Sequence, residues 1–165
     1  MAILVVLTAS VALLTAALMA GIFLSFTLSV LPGLDAIEPE HSVRAMRSMN
    51  DSILNPAFLT TFMGVPVAAV ATGALLLLLG HRAAGLVFLA AAAVYVLGVF
   101  LPTAAVNVPL NDTLAAAGDH PADAAGVWAD FSPRWGRWNA VRSASSAVTL
   151  LLIGLALYLW ARSDA

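Results

Sequence analysis

The sequence predicts an all-α fold, a four-helix transmembrane bundle with short interfacial helices in the loops after spans 1 and 3. The chain is 62% hydrophobic and 10% charged, whereas soluble domains are about 45–50% apolar and about 25% charged. Its apolar residues come in four long blocks, each near the length that crosses a bilayer. These blocks are rich in Leu and Ala without period-2 alternation, which disfavours a membrane barrel.

We predict spans at residues 3–31, 56–79, 83–105 and 138–160 of a single domain that covers residues 1–165. The first apolar block has no positive segment before it. It is also longer than the roughly 7–15-residue apolar region of a signal peptide. We therefore expect it to be retained as the first span.

The first span carries a small residue at every fourth position, namely Ala17, Gly21, Ser25 and Ser29. Such a stripe lets another helix approach closely, and it could serve either the internal bundle or a homodimer. The breaker pair Pro32-Gly33 predicts the end of this span.

The first polar connection, residues 35–55, predicts a short amphipathic helix. Glu40 precedes Arg44, as the helix dipole favours, and Val43 and Met46 are at helical spacing. We expect this helix to lie at the membrane interface or to fold against the bundle.

The second polar connection, residues 106–133, predicts two short helices over residues 113–117 and 123–131. In a four-span protein both connections lie on the same side of the membrane. Five of the seven Arg residues lie on that side, so the positive-inside rule predicts that it is cytoplasmic. We expect a multi-pass protein of a bacterial cell membrane.

Several kinds of chemistry are excluded by composition. The chain has no Cys, which excludes disulfides and Cys-ligated metals, and no Lys, which excludes a Schiff base or a P-loop. A net charge of -2 gives no electrostatic footprint for nucleic acid. His41, His81 and His120 show no metal-binding spacing, and we predict no metal site.

Polar residues at the start of the fourth span suggest a site. Trp135, Trp138, Asn139 and Arg142 are spaced i, i+3, i+4 and i+7, which places them on one helix face. An Arg at membrane depth usually has a partner. We expect that partner to be a carboxylate, with three candidates: Asp51, Asp112 and Asp130.

Two interpretations of these polar residues stay open. Asn55 could cap the second span, Asn111 or Asp112 could cap the helix that follows, and the Trp residues could be interfacial anchors. Together, however, several Asn and an Arg on one side of the membrane predict a small-molecule pocket, because Asn offers both a donor and an acceptor without charge.

Two motifs resemble those of the anthrone oxygenase-like membrane proteins. Much of that family is described only as a domain of unknown function. The two motifs are Asn107-Val108-Pro109-Leu110-Asn111-Asp112 and Trp135-x-x-Trp138-Asn139-x-x-Arg142. The resemblance implies oxidation of an anthrone to an anthraquinone with O₂ and no dedicated cofactor. Many relatives have His where this chain has Asn139, and Asn cannot act as a general base near neutral pH.

The resemblance implies catalytic roles for four residues: Arg142, Asn139, Asn107 and Asn111. We expect six further residues to contact the substrate: Trp135, Trp138, Trp128, Asn50, Asn55 and Asp112. The expected partners are the lipid bilayer, a flat aromatic small molecule and a second copy of the chain in a homo-oligomer. The alternative function is a non-catalytic membrane protein that binds a small lipophilic ligand or a partner protein.

Overall fold

A computed structural model of the protein describes residues 1–163. Within this range the chain forms five helices and no strand. The helices are α1 (Ala2–Asp35), α2 (Pro39–Ile53), α3 (Pro56–Leu78), α4 (Arg82–Ala116) and α5 (Ala124–Ser163). All except α2 are long and apolar enough to cross a membrane. The predicted fold class is therefore confirmed.

The four long helices form a ring in which α1 packs on α3, α3 on α4, α4 on α5 and α5 on α1. The core inside the ring holds large, fully buried side chains such as Met19, Leu76 and Phe88. Large apolar side chains also remain exposed along the outer faces, for example Leu14 and Leu151. A continuous exposed apolar surface of this kind is a membrane-contacting surface.

Two glycines are required for different reasons, one in a turn and one in a close helix contact. Gly80 has a φ of 88° in the turn between α3 and α4, a conformation that L side chains rarely adopt. A side chain at Gly98 would collide with Ser145, so this glycine allows α4 and α5 to approach closely.

The small-residue stripe on α1 lies on the outer face of the bundle. Ala17, Gly21, Ser25 and Ser29 are all exposed, and no atom lies within 4 Å of the position a Cβ would take at Gly21. Other small residues on α1 face the core instead: Ala9, Ala12 and Ala16. The stripe therefore does not serve the internal bundle, and its use in a homodimer stays a prediction.

A second core lies at the polar end of the bundle. Helix α2 folds back so that Val43 and Met46 are fully buried. They pack with residues from the ends of α1, α4 and α5: Leu31, Leu34, Leu110, Leu114, Trp128, Phe131 and Trp135. Of the two positions predicted for α2, folding against the bundle is the one observed. We call this second core and the helix ends around it the polar-side layer.

Three of the four long helices extend beyond the predicted spans, and α3 ends one residue before its predicted end. The end predicted at Pro32-Gly33 is wrong, because α1 continues to Asp35. Residues 113–117 and 123–131 are largely helical, as predicted, but they belong to the ends of α4 and α5 rather than to separate helices.

Wider π-helical turns explain how three prolines fit inside these long helices. The π turns are Phe26–Val30, Val96–Phe100 and Thr103–Asn107. Each ends two residues before a proline, namely Pro32, Pro102 and Pro109. Proline lacks an N–H, and its ring crowds the carbonyl four residues earlier, so a wider turn relieves the clash without ending the helix.

Candidate functional site

A group of polar side chains lies between the membrane core and the polar-side layer. At its centre is Arg142 on α5, which is 5% exposed. Its Nη1 donates to Thr103 Oγ1 on α4 at 3.2 Å, and its Nη2 donates to Asn139 Oδ1 at 3.0 Å. We call the five residues Thr27, Thr103, Asn107, Asn139 and Arg142 the junction cluster.

Asn139 joins the cluster to α1. Its Nδ2 donates to the Phe23 carbonyl at 2.9 Å and to Thr27 Oγ1 at 2.8 Å. Because its Oδ1 also accepts from Arg142, this amide uses three of its four hydrogen-bonding positions, and it is fully buried. Asn139 is therefore fixed in orientation, and it fixes one side of the guanidinium.

Asn107 joins the cluster to the start of α5. It is fully buried, and its Nδ2 donates to the Trp135 carbonyl at 3.3 Å. The Trp135 indole in turn donates from Nε1 to Asn111 Oδ1 on α4 at 2.9 Å. Asn107 and Asn111, which belong to the first of the two family-like motifs, thus contact Trp135, which belongs to the second.

Two aromatic rings flank the cation. The Arg142 Cζ lies 4.6 Å from the Phe23 ring centroid and 5.1 Å from that of Trp135. Both distances fall within the roughly 6 Å range of a cation–π interaction. These rings therefore stabilise the guanidinium.

Arg142 has no anionic partner among the described residues. The three carboxylates predicted for this role, Asp51, Asp112 and Asp130, are exposed and make no ion pair with it. That prediction is wrong, because the guanidinium bonds to neutral oxygens of Thr103 and Asn139 instead. A buried cation without a counter-charge carries an uncompensated desolvation penalty.

The cluster and the interior beneath it also contain unpaired polar atoms. Arg142 Nε, Asn107 Oδ1, Tyr95 OH and Ser146 Oγ are buried and have no hydrogen-bond partner. Tyr95 lies close enough to Arg142 for the two groups to interact electrostatically. Unpaired buried polar atoms are rare in folded proteins, so these four along the α4–α5 interface make this part of the bundle a candidate site.

Two of the π turns contribute directly to the cluster. Thr27 lies in the turn on α1, and Thr103 and Asn107 are the first and last residues of the second π turn on α4. Single π turns inside α-helices occur frequently at functional sites. The backbone irregularity and the polar side chains therefore coincide.

A second polar network lies nearby in the polar-side layer. The Trp128 Nε1 donates to Asp35 Oδ1 at 2.9 Å, and the Ser132 hydroxyl donates to the same oxygen at 2.7 Å. This network ties the end of α1 to the start of α5. Trp128, predicted to contact the substrate, is thus engaged by a carboxylate that sequence reasoning did not select.

The structure brings some predicted site residues together and not others. Arg142, Asn139, Asn107, Trp135 and Asn111 form one continuous set of contacts. Their predicted roles stay predictions.

The other predicted residues lie apart from this set. Trp138 is 37% exposed, whereas Arg142, one turn further along α5, is buried. Asn55 accepts from the Phe58 N–H at 3.0 Å and caps α3. Asp112 is exposed, and Asn50 lies half-buried on α2. None of these makes a hydrogen bond to the junction cluster.

Sequence reasoning missed four residues around Arg142: Phe23, Thr27, Thr103 and Tyr95. The spacing of Pro32 and Pro109 after the π turns is the signal that could have indicated two of them, because those turns contain Thr27 and Thr103.

The histidines do not form a site. His120 bonds to Glu40 at the polar end, and His81 contacts Ser163 at the opposite end. The hydrogen bond from His120 lowers the pKa of Glu40. A neighbouring ion pair joins Arg47 to Asp119, so α2 holds the loop between α4 and α5 at two points. Among the described residues, no three His, Asp or Glu side chains gather where a metal ion could bind.

The fold and the junction cluster together define an all-α protein with four membrane-spanning helices and a buried, unpaired cation. The family model described as anthrone oxygenase matches residues 57–152, which is more than half of the chain. The chain therefore belongs to the anthrone oxygenase family, as the resemblance implied. No curated protein and no solved structure matches it.

Proposed function

We propose that the protein is an oxygenase that oxidises a lipophilic hydroxylated aromatic ketone of the anthrone type with O₂. In this proposal Arg142 binds the enolate or phenolate oxygen of the substrate. The observation that carries the proposal is that, within residues 1–163, no anion lies beside this buried guanidinium. A substrate anion would supply the missing counter-charge, and the family assignment supports the reaction class.

The junction cluster suits an anion that is both flat and weakly polar. The Phe23 and Trp135 rings beside the guanidinium can pack against an aromatic ligand. The unpaired Arg142 Nε can donate to a substrate oxygen, and the unpaired Asn107 Oδ1 can accept from a substrate O–H. Donors held in a water-excluded site stabilise developing negative charge far better than donors in water.

The reaction balances with O₂ as the oxidant. The substrate CH₂ group loses one proton to give the enolate, which Arg142 stabilises. The enolate carbon transfers electrons to O₂ and forms a C–O bond, which gives a hydroperoxide after protonation. Loss of the second C–H proton with cleavage of the O–O bond gives the quinone carbonyl, and the departing oxygen leaves as water.

The cluster itself contains no carboxylate or imidazole that could remove the first proton. Such ketones exist in equilibrium with an enol tautomer whose O–H proton is acidic. A site that binds the anion preferentially shifts this equilibrium towards it. Arg142 therefore acts by selecting the anion rather than by removing the proton.

The test is O₂ consumption by the detergent-purified protein with a hydroxylated anthrone. We expect uptake of one O₂ per quinone formed, and ¹⁸O₂ should label the new carbonyl with one atom. The R142M variant provides the background of spontaneous oxidation. If wild-type protein and R142M oxidise a panel of such substrates equally slowly, the proposal is wrong.

A second candidate function is a non-catalytic membrane protein that binds a small lipophilic ligand. The observation that favours it is the lack of a carboxylate or imidazole in the junction cluster. It predicts tight, Arg142-dependent binding of a hydroxylated aromatic ketone without any O₂ uptake above background.

A further inference from the structure

A groove on the polar-side layer lies outside the junction cluster. It has a volume of about 410 Å³, within the roughly 300–1,000 Å³ range of small-molecule sites. It opens between the last turns of α4 and the first turns of α5. Apolar side chains form its floor: Leu110, Leu114, Val127 and Phe131.

Two charged residues lie at the edge of this groove. Asp130 and Arg134 are one helical turn apart on α5, both line the groove, and both are exposed. No hydrogen bond or ion pair joins them to each other or to any other described side chain. The groove thus offers an acceptor and a donor next to an apolar floor.

Packed aromatic rings connect the groove with the junction cluster. Phe131 lines the groove, and its ring centroid lies 6.2 Å from that of Trp135. The Trp135 ring in turn covers Arg142 at 5.1 Å. The Trp135 indole, held in place by Asn111, therefore lies between Phe131 of the groove and the guanidinium.

We propose that this groove is an outer binding site where a flat hydroxylated aromatic ketone docks before it reaches Arg142. The ligand class rests on the proposed function. An aromatic ring system would pack on Leu114 and Phe131, its O–H would donate to Asp130, and its carbonyl would accept from Arg134. Displacement of the Trp135 indole would then open the route inward.

The chain offers two matched pairs of variants. Ala115 and Ala116 are adjacent, and both are exposed at the end of α4, but only Ala116 lines the groove. A116F fills the groove, whereas A115F adds the same bulk outside it. R134Q removes the donor, and R137Q removes a neighbouring exposed charge that does not line the groove.

The probe is a hydroxyanthraquinone, a stable compound of the product class, whose binding is followed by quenching of tryptophan fluorescence. We expect A116F to weaken binding at least tenfold and R134Q severalfold, with A115F and R137Q unchanged. R142M should retain this binding while losing turnover. Unsubstituted anthracene should bind much more weakly than the hydroxyanthraquinone.

Three results would overturn the proposal that the groove binds this ligand. One is equal binding by A116F and A115F with loss of binding in R142M, which would place the ligand at Arg142 and leave the proposed function standing. Another is equal binding of anthracene, which would make the charged pair irrelevant. The third is quenching by a brominated phospholipid that A116F removes, which would mean that a lipid chain fills the groove. Failure of the proposed function has a different signature: A116F-sensitive binding without O₂ uptake.

Discussion

Two polar networks lie on the buried side of α5, about two helical turns apart, and they differ in how their polar atoms are paired. In the network of the polar-side layer, the Asp35 carboxylate accepts from both Trp128 and Ser132. In the junction cluster, Arg142 has only neutral partners in the described part of the chain, where its Nε and the Asn107 Oδ1 have no partner at all.

This difference indicates that the first network stabilises the fold, whereas the junction cluster serves ligand binding. A fully paired network rigidifies the fold, and a partly paired one lowers stability unless something else binds there. Asp35 joins α1 to α5 through one carboxylate oxygen, which accepts from both buried donors of this network. The junction cluster leaves a donor, an acceptor and a whole positive charge available, which is what an anionic aromatic ligand requires.

The largest expected effect comes from removing the cation. R142M should lower turnover by about 10²–10³-fold, the usual loss when a donor to a developing oxyanion is removed. Because the buried charge is uncompensated, its replacement by an apolar side chain should leave thermal stability unchanged or raise it. Turnover and the unfolding temperature in the same detergent measure both. A large loss of stability would mean that Arg142 is structural.

The second prediction concerns a substitution that gives Arg142 of the junction cluster an anionic partner. N139D places a carboxylate beside Arg142, and we expect binding of an anionic ligand to fall at least about tenfold, or about 1.4 kcal/mol. The visible absorption of the phenolate form of a hydroxyanthraquinone measures this, because it reports the anion beside Arg142 and not the neutral ligand in the groove. The reciprocal change, D35N in the other network, is the control and should leave ligand affinity unchanged. Undiminished affinity in N139D would contradict the role of the unpaired charge.

The third prediction concerns a substitution that removes the acceptor from the network of the polar-side layer. D35A leaves the Trp128 N–H and the Ser132 hydroxyl without their acceptor, and we expect the free energy of unfolding to fall by about 1–3 kcal/mol. Turnover at saturating substrate should stay within about twofold, a change of less than 1 kcal/mol in the barrier. Denaturant unfolding together with the O₂ assay tests this. A collapse of turnover with intact folding would place Asp35 in the site.

The smallest effect concerns the contact between α2 and the loop before α5. The hydrogen bond from His120 lowers the pKa of Glu40 from its usual 4.5. The contact therefore stabilises the fold above pH 4.5, and this contribution is lost as the pH falls through the lower pKa of the folded state. E40Q should remove that acid dependence. Because the pair is exposed, the change in unfolding temperature should be small. Identical acid profiles for E40Q and wild type would show that the contact contributes nothing.

Much of the fold could be predicted from sequence because membrane helices are marked by long apolar blocks. The helix ends could not, because Pro32 and Pro109 are breakers in isolation. The structure accommodates them with π turns, whose formation depends on packing of the whole bundle.

The centre of the site could also be predicted in part. Arg142, Asn139 and Asn107 stand out because polar side chains are rare in apolar segments. Their partners could not be found in the same way. Thr103 and Thr27 look like ordinary hydroxyls in a span, and Asp35 looks like a loop residue. Only the register between helices shows which hydroxyl or carboxylate meets which cation.

The most direct measurement is the colour of a bound hydroxyanthraquinone, whose phenol and phenolate forms absorb at different visible wavelengths. If Arg142 supplies the positive charge for a bound anion, the ligand should titrate to phenolate at a lower pH on wild-type protein and on D35N than in empty detergent micelles. On R142M it should titrate as it does in the micelles. The same titration curve on wild type and R142M would contradict the central role of Arg142.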